Sequence, residues 1–274
     1  MLKQRILTAF ILIPLVVAGI LYLPKIAIAI IFAIVILQGA WEWSALSGMK
    51  NNFIRLVYVL IVGSALYYFW QGTGDRFLMH ANGYFSIIWW FVAFLWVLFP
   101  KLLNQPSLMG SVIKLFAGGF VLVPVWYALV SIHSVSASGP AWLLYAMALV
   151  WVADSGAYFA GKSFGKHKLA PKVSPGKTWE GVIGALLLVI CYSLIAPYWL
   201  PIADEMVLWI VITSAVLVPL SVIGDLFESL MKRHSGIKDS GNLLPGHGGI
   251  LDRIDGLTPA IPVFMLVSLL TDLL

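Results

Sequence analysis

Nine stretches of this chain are apolar over about 20 residues, the length that carries an α-helix across the hydrocarbon core of a bilayer. They cover Ile6–Leu23 and then residues 26–46, 54–70, 83–100, 115–135, 141–161, 179–200, 206–225 and 257–274. Such runs leave little choice of fold, because in lipid every backbone N–H and C=O must be paired internally. Continuous runs of this length satisfy that demand as helices. Composition agrees: 61% of residues are hydrophobic and 11% are charged, against about 25% charged in an ordinary soluble domain. A soluble globular domain and a disordered chain are both excluded. The expectation is an all-α polytopic membrane protein of about nine transmembrane helices, with Pro124, Pro197, Pro219 and Pro262 kinking helices or lying near their ends. The first run follows Lys3 and Arg5 and imitates a signal peptide, but it exceeds the roughly 7–15 residues of a signal h-region. The single cysteine, Cys191, lies within an apolar run, so neither a disulfide framework nor a cysteine zinc site is expected.

Nine spans put the chain ends on opposite sides of the membrane, and the basic residues say which side is which. One set of loops holds Lys3, Arg5, Lys50, Arg55, Lys101, Lys114, Lys162, Lys166, Lys168, Lys172, Lys177, Lys232, Arg233, Lys238 and Arg253. The other set holds only Lys25 and Arg76. By the positive-inside rule the first set is cytoplasmic, which puts the N-terminus in the cytoplasm and the C-terminus outside. The net charge of +5 thus reports orientation, and nucleic acid is not an expected partner.

Acidic residues divide the chain differently. Residues 1–150 contain only Glu42 and Asp75, while the other ten lie in 151–274. Residues 1–135 therefore read as a transmembrane scaffold of about five helices. Residues 136–274 read as a catalytic transmembrane region carrying two cytoplasmic segments, 154–180 and 225–256.

The first segment contains Gly161-Lys162-Ser163-Phe164-Gly165-Lys166 and then Lys172-Val173-Ser174-Pro175-Gly176-Lys177-Thr178-Trp179-Glu180-Gly181. Lysines interspersed with Gly, Ser and Thr make a loop able to cradle phosphate, and Ser174, Lys177 and Thr178 are its candidate contacts. The alternative is a set of charges drawn to anionic headgroups, worth about 1 kcal/mol each. Gly156 to Ser163 also satisfies the P-loop expression, but a membrane helix precedes it where a P-loop needs a strand. Asp154 falls inside a span, where an unpaired carboxylate costs roughly 2.5–3.5 kcal/mol at mid-membrane, so it is expected to face the bundle interior or a polar cavity.

The second segment reads Asp225-Leu226-Phe227-Glu228-Ser229-Leu230-Met231-Lys232-Arg233, then Lys238-Asp239, then Pro245-Gly246-His247-Gly248-Gly249-Ile250-Leu251-Asp252-Arg253-Ile254-Asp255. If the preceding helix continues into the cytoplasm, Ser221, Asp225, Glu228 and Lys232 share one face. Asp252 and Asp255 are likewise one helical turn apart. Hard divalent cations with phosphate ligands are held by one or two carboxylates, a pattern that Asp225 with Asp252 or Asp255 fits. The competing reading pairs these acids with Arg233, Lys238 and Arg253 in a solvated loop.

The pattern Ser229-x-x-Lys232-Arg233, Lys238-Asp239, Pro245-Gly246-His247-Gly248-Gly249-x-x-Asp252-Arg253-x-Asp255 resembles the signature of the phosphatidate cytidylyltransferase (CDP-diacylglycerol synthase) family. The resemblance is close over roughly the last 130 residues and extends to Asp154–Tyr158 and Lys172–Gly181. It implies transfer of CMP from CTP to phosphatidate in the cytoplasmic membrane, bacterial inner membrane in this setting, with the active site facing the cytoplasm. It also implies Mg2+ with a second cation, and a homodimer. On this resemblance Asp225 and Asp252 hold metal, with Asp255 beside them. Lys177, Lys232, Arg233, Lys238 and Arg253 neutralise phosphates, Ser174 and Thr178 hydrogen-bond them, and His247 orients the leaving pyrophosphate or caps the turn. The rival readings are a CTP-dependent enzyme acting on another membrane lipid and a secondary transporter. A transporter would gather its polar residues near the midplane in two related halves.

Overall fold

The computed structural model describes residues 14–102, 107–241 and 248–274. Helix α1 occupies residues 14–22 of the described chain, and the start of the first expected span lies outside the described residues. There follow α2 (Lys25–Leu46), α3 (Asn52–Trp70), α4 (Arg76–Leu98), α5 (Leu108–Val135) and α6 (Gly139–Phe164). A short hairpin of β1 (Lys168–Ala170) and β2 (Ser174–Thr178) leads to α7 (Trp179–Ile195), α8 (Val207–His234), α9 (Leu251–Ile254) and α10 (Leu257–Leu270). Eight helical segments among the described residues are long and apolar enough to cross a membrane, counting α9 and α10 as one. The chain is an all-α polytopic membrane protein apart from the hairpin, a segment that the sequence read as loop.

Helices α4 and α5 begin a turn or two before their apolar runs. The reason is capping: Asp75 accepts from the N–H of Leu78 at 3.0 Å and Ser107 from that of Gly110 at 3.0 Å, which pairs donors a helix start otherwise leaves unpaired. Pro124, Pro219 and Pro262 fall inside helices, whereas Pro197 sits in a 3-10 turn that closes the span begun by α7.

Helices α5 and α10 are buried along most of their length and form the centre of the bundle. Around them pack α2, α4, α6 and α8, while α7 lies against α6 and α8, and α3 against α2 and α5. The outer faces of α3, α4 and α7 expose Leu60, Ile61, Phe91, Leu95, Leu187 and similar side chains, as a lipid-facing surface should. An apolar groove of about 700 Å³ between α3, α4 and α5 carries no charged group.

Two packing features fix α8, the helix with the most acidic and basic residues. Phe227 is 1% exposed, and its ring lies within 6.0 Å of Trp43, Trp89, Trp90 and Trp96. The pairs with Trp89, Trp90 and Trp96 are edge-on, a geometry that holds a helix in rotation as well as in place. On the other side, a Cβ at Gly224 would come 2.3 Å from the carbonyl oxygen of Asp255 and 2.9 Å from the ring of Pro259. Only glycine lets α8 approach the α9–α10 junction so closely, and that approach sets Asp225 next to Asp255 and Gly256.

Candidate active site

The hairpin is the first site element. Its register pairs Lys168 with Thr178 and Ala170 with Ser174, so three residues, Pro175, Gly176 and Lys177, oppose the single Leu169. Proline has no N–H to give the ladder, and the bulge that results turns Lys177 inward. The hairpin base is closed by Glu180, which accepts from the N–H of His167 at 3.2 Å and pairs with its Nδ1 at 2.6 Å. Thr178 then caps α7 by accepting from the N–H of Gly181 at 3.2 Å.

Lys177 and Thr178 thereby meet α6 and α8 around a cavity of about 300 Å³. Asp154 and Tyr158 of α6 and Ser221 and Asp225 of α8 complete its polar lining, and Ala153, Ala157, Val182, Ala185, Val218 and Val222 form apolar walls. Lys177 donates to Asp225. Asp154 is exposed within the cavity, as its position inside a span required. Four of the residues named from sequence, Asp154, Lys177, Thr178 and Asp225, are thus brought together although three separate segments supply them.

A second polar cluster lies one to two turns further along α8. The helix does continue beyond the apolar run, and Lys232 lies 2.5 Å from Asp252 and 3.3 Å from the buried Glu228. Asp252 is held on its other oxygen by the N–H of Ser240 at 3.0 Å, the Ser240 hydroxyl at 2.9 Å and the N–H of Gly249 at 2.8 Å. Asp255, at the end of α9, accepts from the N–H of Gly256 at 2.9 Å, and Gly256 packs against Ser221 and Asp225. The Asp255–Gly256 turn therefore bridges the two clusters.

Other sequence candidates lie apart from the cavity lining. Arg233 donates to the carbonyl of Val173 at 3.4 Å and ties α8 to the hairpin. Ser174 opens β2, while Lys238 is exposed on the loop after α8 and Arg253 on α9. His247 lies outside the described residues. Sequence reasoning missed two residues. Glu42 of α2 is 3% exposed and touches the second cluster through Ser240, Ile250 and Leu251. Ser240 stands between Glu42 and Asp252. The signal for Glu42 was the one that singled out Asp154, a carboxyl inside an apolar run.

The chain is similar to known proteins along nearly its whole length. The sequence model of the Cytidylyltransferase family matches residues 3–271. A phosphatidate cytidylyltransferase of Pseudomonas aeruginosa is 42% identical over 268 residues, covering 96% of each chain. That of Haemophilus influenzae is 38% identical over 287 residues, covering 96% of this chain and 97% of its own. The Bacillus subtilis enzyme of the same name is 41% identical over 145 residues, about half of each chain. With a match along nearly its whole length and relatives this similar end to end, the chain belongs to the cytidylyltransferase family.

Proposed function

We propose that the chain transfers the CMP group of CTP to the phosphate of phosphatidate, giving CDP-diacylglycerol and pyrophosphate, at the cytoplasmic face of a bacterial inner membrane. The observation that carries this reading is the cavity whose polar end gathers Asp154, Lys177, Thr178, Ser221 and Asp225 while its walls are small and apolar. Such a cavity is the size of a lipid's phosphate end, with Lys177, Thr178 and Ser221 as its donors. The names of the full-length relatives point to the same acceptor. A bilayer-bound phosphate and a water-soluble triphosphate meet only at the membrane surface, and the concentration of basic residues on one set of loops favours the cytoplasmic one. Nine spans, with the N-terminus in the cytoplasm and the C-terminus outside, and a homodimer complete the proposal.

In the reaction a phosphate oxygen of phosphatidate attacks the α-phosphorus of CTP, and the bond to the β-phosphate's bridging oxygen breaks with pyrophosphate leaving. The attacking monoester has a second pKa near 6, so it is ionised at neutral pH and needs no general base. The barrier is the repulsion of two polyanions, which positioning and positive charge relieve. Lys177 is the cation at the cavity, with Lys232, Arg233, Lys238 and Arg253 on the approach. The hydroxyls of Ser174 and Thr178 hydrogen-bond phosphate oxygens, and His247 orients the leaving group.

Asp225, Asp252 and Asp255 are the residues that would hold Mg2+. Their donors are all carboxylate oxygens, as a hard cation prefers. Among the described residues no three His, Cys, Asp or Glu converge, so one or two of these carboxylates at a time would hold the ion, with substrate phosphates completing its shell. When bound it supplies positive charge to the phosphoryl oxygens. Asp252 accepts from Lys232 on one oxygen and from Ser240 and Gly249 on the other, so a cation held there would share the carboxylate with these donors.

The test is to incubate purified protein with CTP, Mg2+ and phosphatidate and measure pyrophosphate and CDP-diacylglycerol, expected in equal amounts. No release with phosphatidate, but release with a polyprenyl or ether-lipid phosphate, would replace the acceptor.

A further inference from the structure

Glu42 sits on α2, in the half of the chain that otherwise supplies scaffold, yet apart from a 3.4 Å contact from the Gln38 amide one turn earlier its carboxyl group is engaged by the second segment. Its Oε1 accepts from the N–H of Ile250 at 2.9 Å, and its Oε2 from the N–H of Leu251 at 3.0 Å and the hydroxyl of Ser240 at 3.0 Å. Ile250 and Leu251 begin the turn that carries Asp252. Ser240 donates its N–H to Asp252, and its hydroxyl, with one proton, lies within reach of both carboxylates. Both routes from Glu42 therefore end on the same carboxylate, one through the backbone and one through a hydroxyl.

The contact is also built sterically. A Cβ at Gly249 would lie 2.2 Å from the Ser240 oxygen and 2.3 Å from Oε2 of Glu42. One at Gly241 would lie 2.9 Å from Oε1. Glycines on both strands of the loop thus make room for this one side chain. A carboxyl with 3% exposure held by two backbone donors is costly to leave unmatched, which gives the interaction its directional strength.

We infer that Glu42 is a positioning residue for the reaction: it fixes Ser240 and the start of α9 so that Asp252 meets its ligands in one geometry. The inference rests on the role proposed above for Asp252. Replacing Glu42 by glutamine preserves shape but turns an amide NH2 toward the N–H of either Ile250 or Leu251, so at least one hydrogen bond becomes a repulsion.

The experiment uses the full-length protein in detergent and reads both turnover and hydrogen exchange. Glu42→Gln is expected to lower kcat at least tenfold with KM for CTP within twofold, and to speed exchange in the 248–256 peptide while peptides from α5 and α10 stay as in the wild type. Glu42→Asp is expected to recover part of both. A kcat within twofold of wild type, or faster exchange spread evenly over α5 and α10, overturns the inference. If Glu42→Gln does not fold, Ser240→Ala leaves the two backbone bonds intact and should still lower kcat several-fold; wild-type turnover there overturns it equally. Asp252→Asn is run beside them. Should that variant be active, the metal assignment fails, whereas the exchange data still decide whether Glu42 holds the segment.

Discussion

Replacing Gly224 by alanine is a small change with a calculable consequence. The added Cβ would lie 2.3 Å from the Asp255 carbonyl oxygen and 2.9 Å from two ring carbons of Pro259. None of these atoms is the end of a flexible side chain, so the helices themselves must part by about 1 Å to reach the ordinary separation of ~3.5 Å. Overpacking of that kind costs about 1–3 kcal/mol. The larger effect is on chemistry, because the displacement falls between Asp225 on α8 and Asp255 on the next element, and a shift of about 1 Å in a reacting geometry is worth about 100-fold in rate. The assay is kcat/KM for CTP with thermal unfolding of the same preparation. Gly119→Ala serves as the control, since nothing lies within 4 Å of a Cβ there, and both readouts should match wild type. If Gly224→Ala keeps kcat/KM within twofold, the idea that this close approach sets the site geometry is wrong.

Three further outcomes are expected. Asp225→Asn and Asp252→Asn should give folded, membrane-inserted protein without Mg2+-dependent CMP transfer, and near wild-type transfer by either would reject its metal role. Lys177→Ala should raise KM for CTP about tenfold, the scale of one lost charge-assisted hydrogen bond, while Lys50→Ala, on the exposed loop before α3, should change it less than twofold. Phe227→Ala removes the ring that four tryptophans surround and should destabilise the protein by about 3–5 kcal/mol, read as a fall in unfolding temperature with the loss of α8-dependent activity.

Much of this architecture was legible because lipid imposes one rule on the backbone and the apolar runs state it directly. The described spans follow those runs, with differences at the starts of α4 and α5 that come from the Asp75 and Ser107 caps. The face shared by Asp225, Glu228 and Lys232 was legible from helical spacing, since α8 runs unbroken to His234. Periodicity does not say what that face meets. Ser221 and Asp225 turn to the cavity, whereas Glu228 and Lys232 turn to Asp252. The hairpin escaped notice because its strands are three and five residues long and rich in Pro, Gly and Lys, which carry no period-2 signal. Glu42 was hidden by distance along the chain: its partners are about 200 residues away, and a lone acid in an apolar run does not name them.

That separation has a consequence for how the enzyme comes into being. Glu42 and Ile250 are 208 residues apart, so at a synthesis rate of about 5–20 residues per second roughly 10–40 seconds pass between the two leaving the ribosome. Throughout that interval the Glu42 carboxyl lacks its donors on Ser240, Ile250 and Leu251 and has only Gln38 of its own helix within reach. Ser240 and the α9 turn deliver them, so carboxylate, serine and turn come together only after α8 has been made. On the role proposed for Asp252, a nascent chain arrested before that turn would hold Asp154, Lys177 and Asp225 without the carboxylate that Glu42 positions.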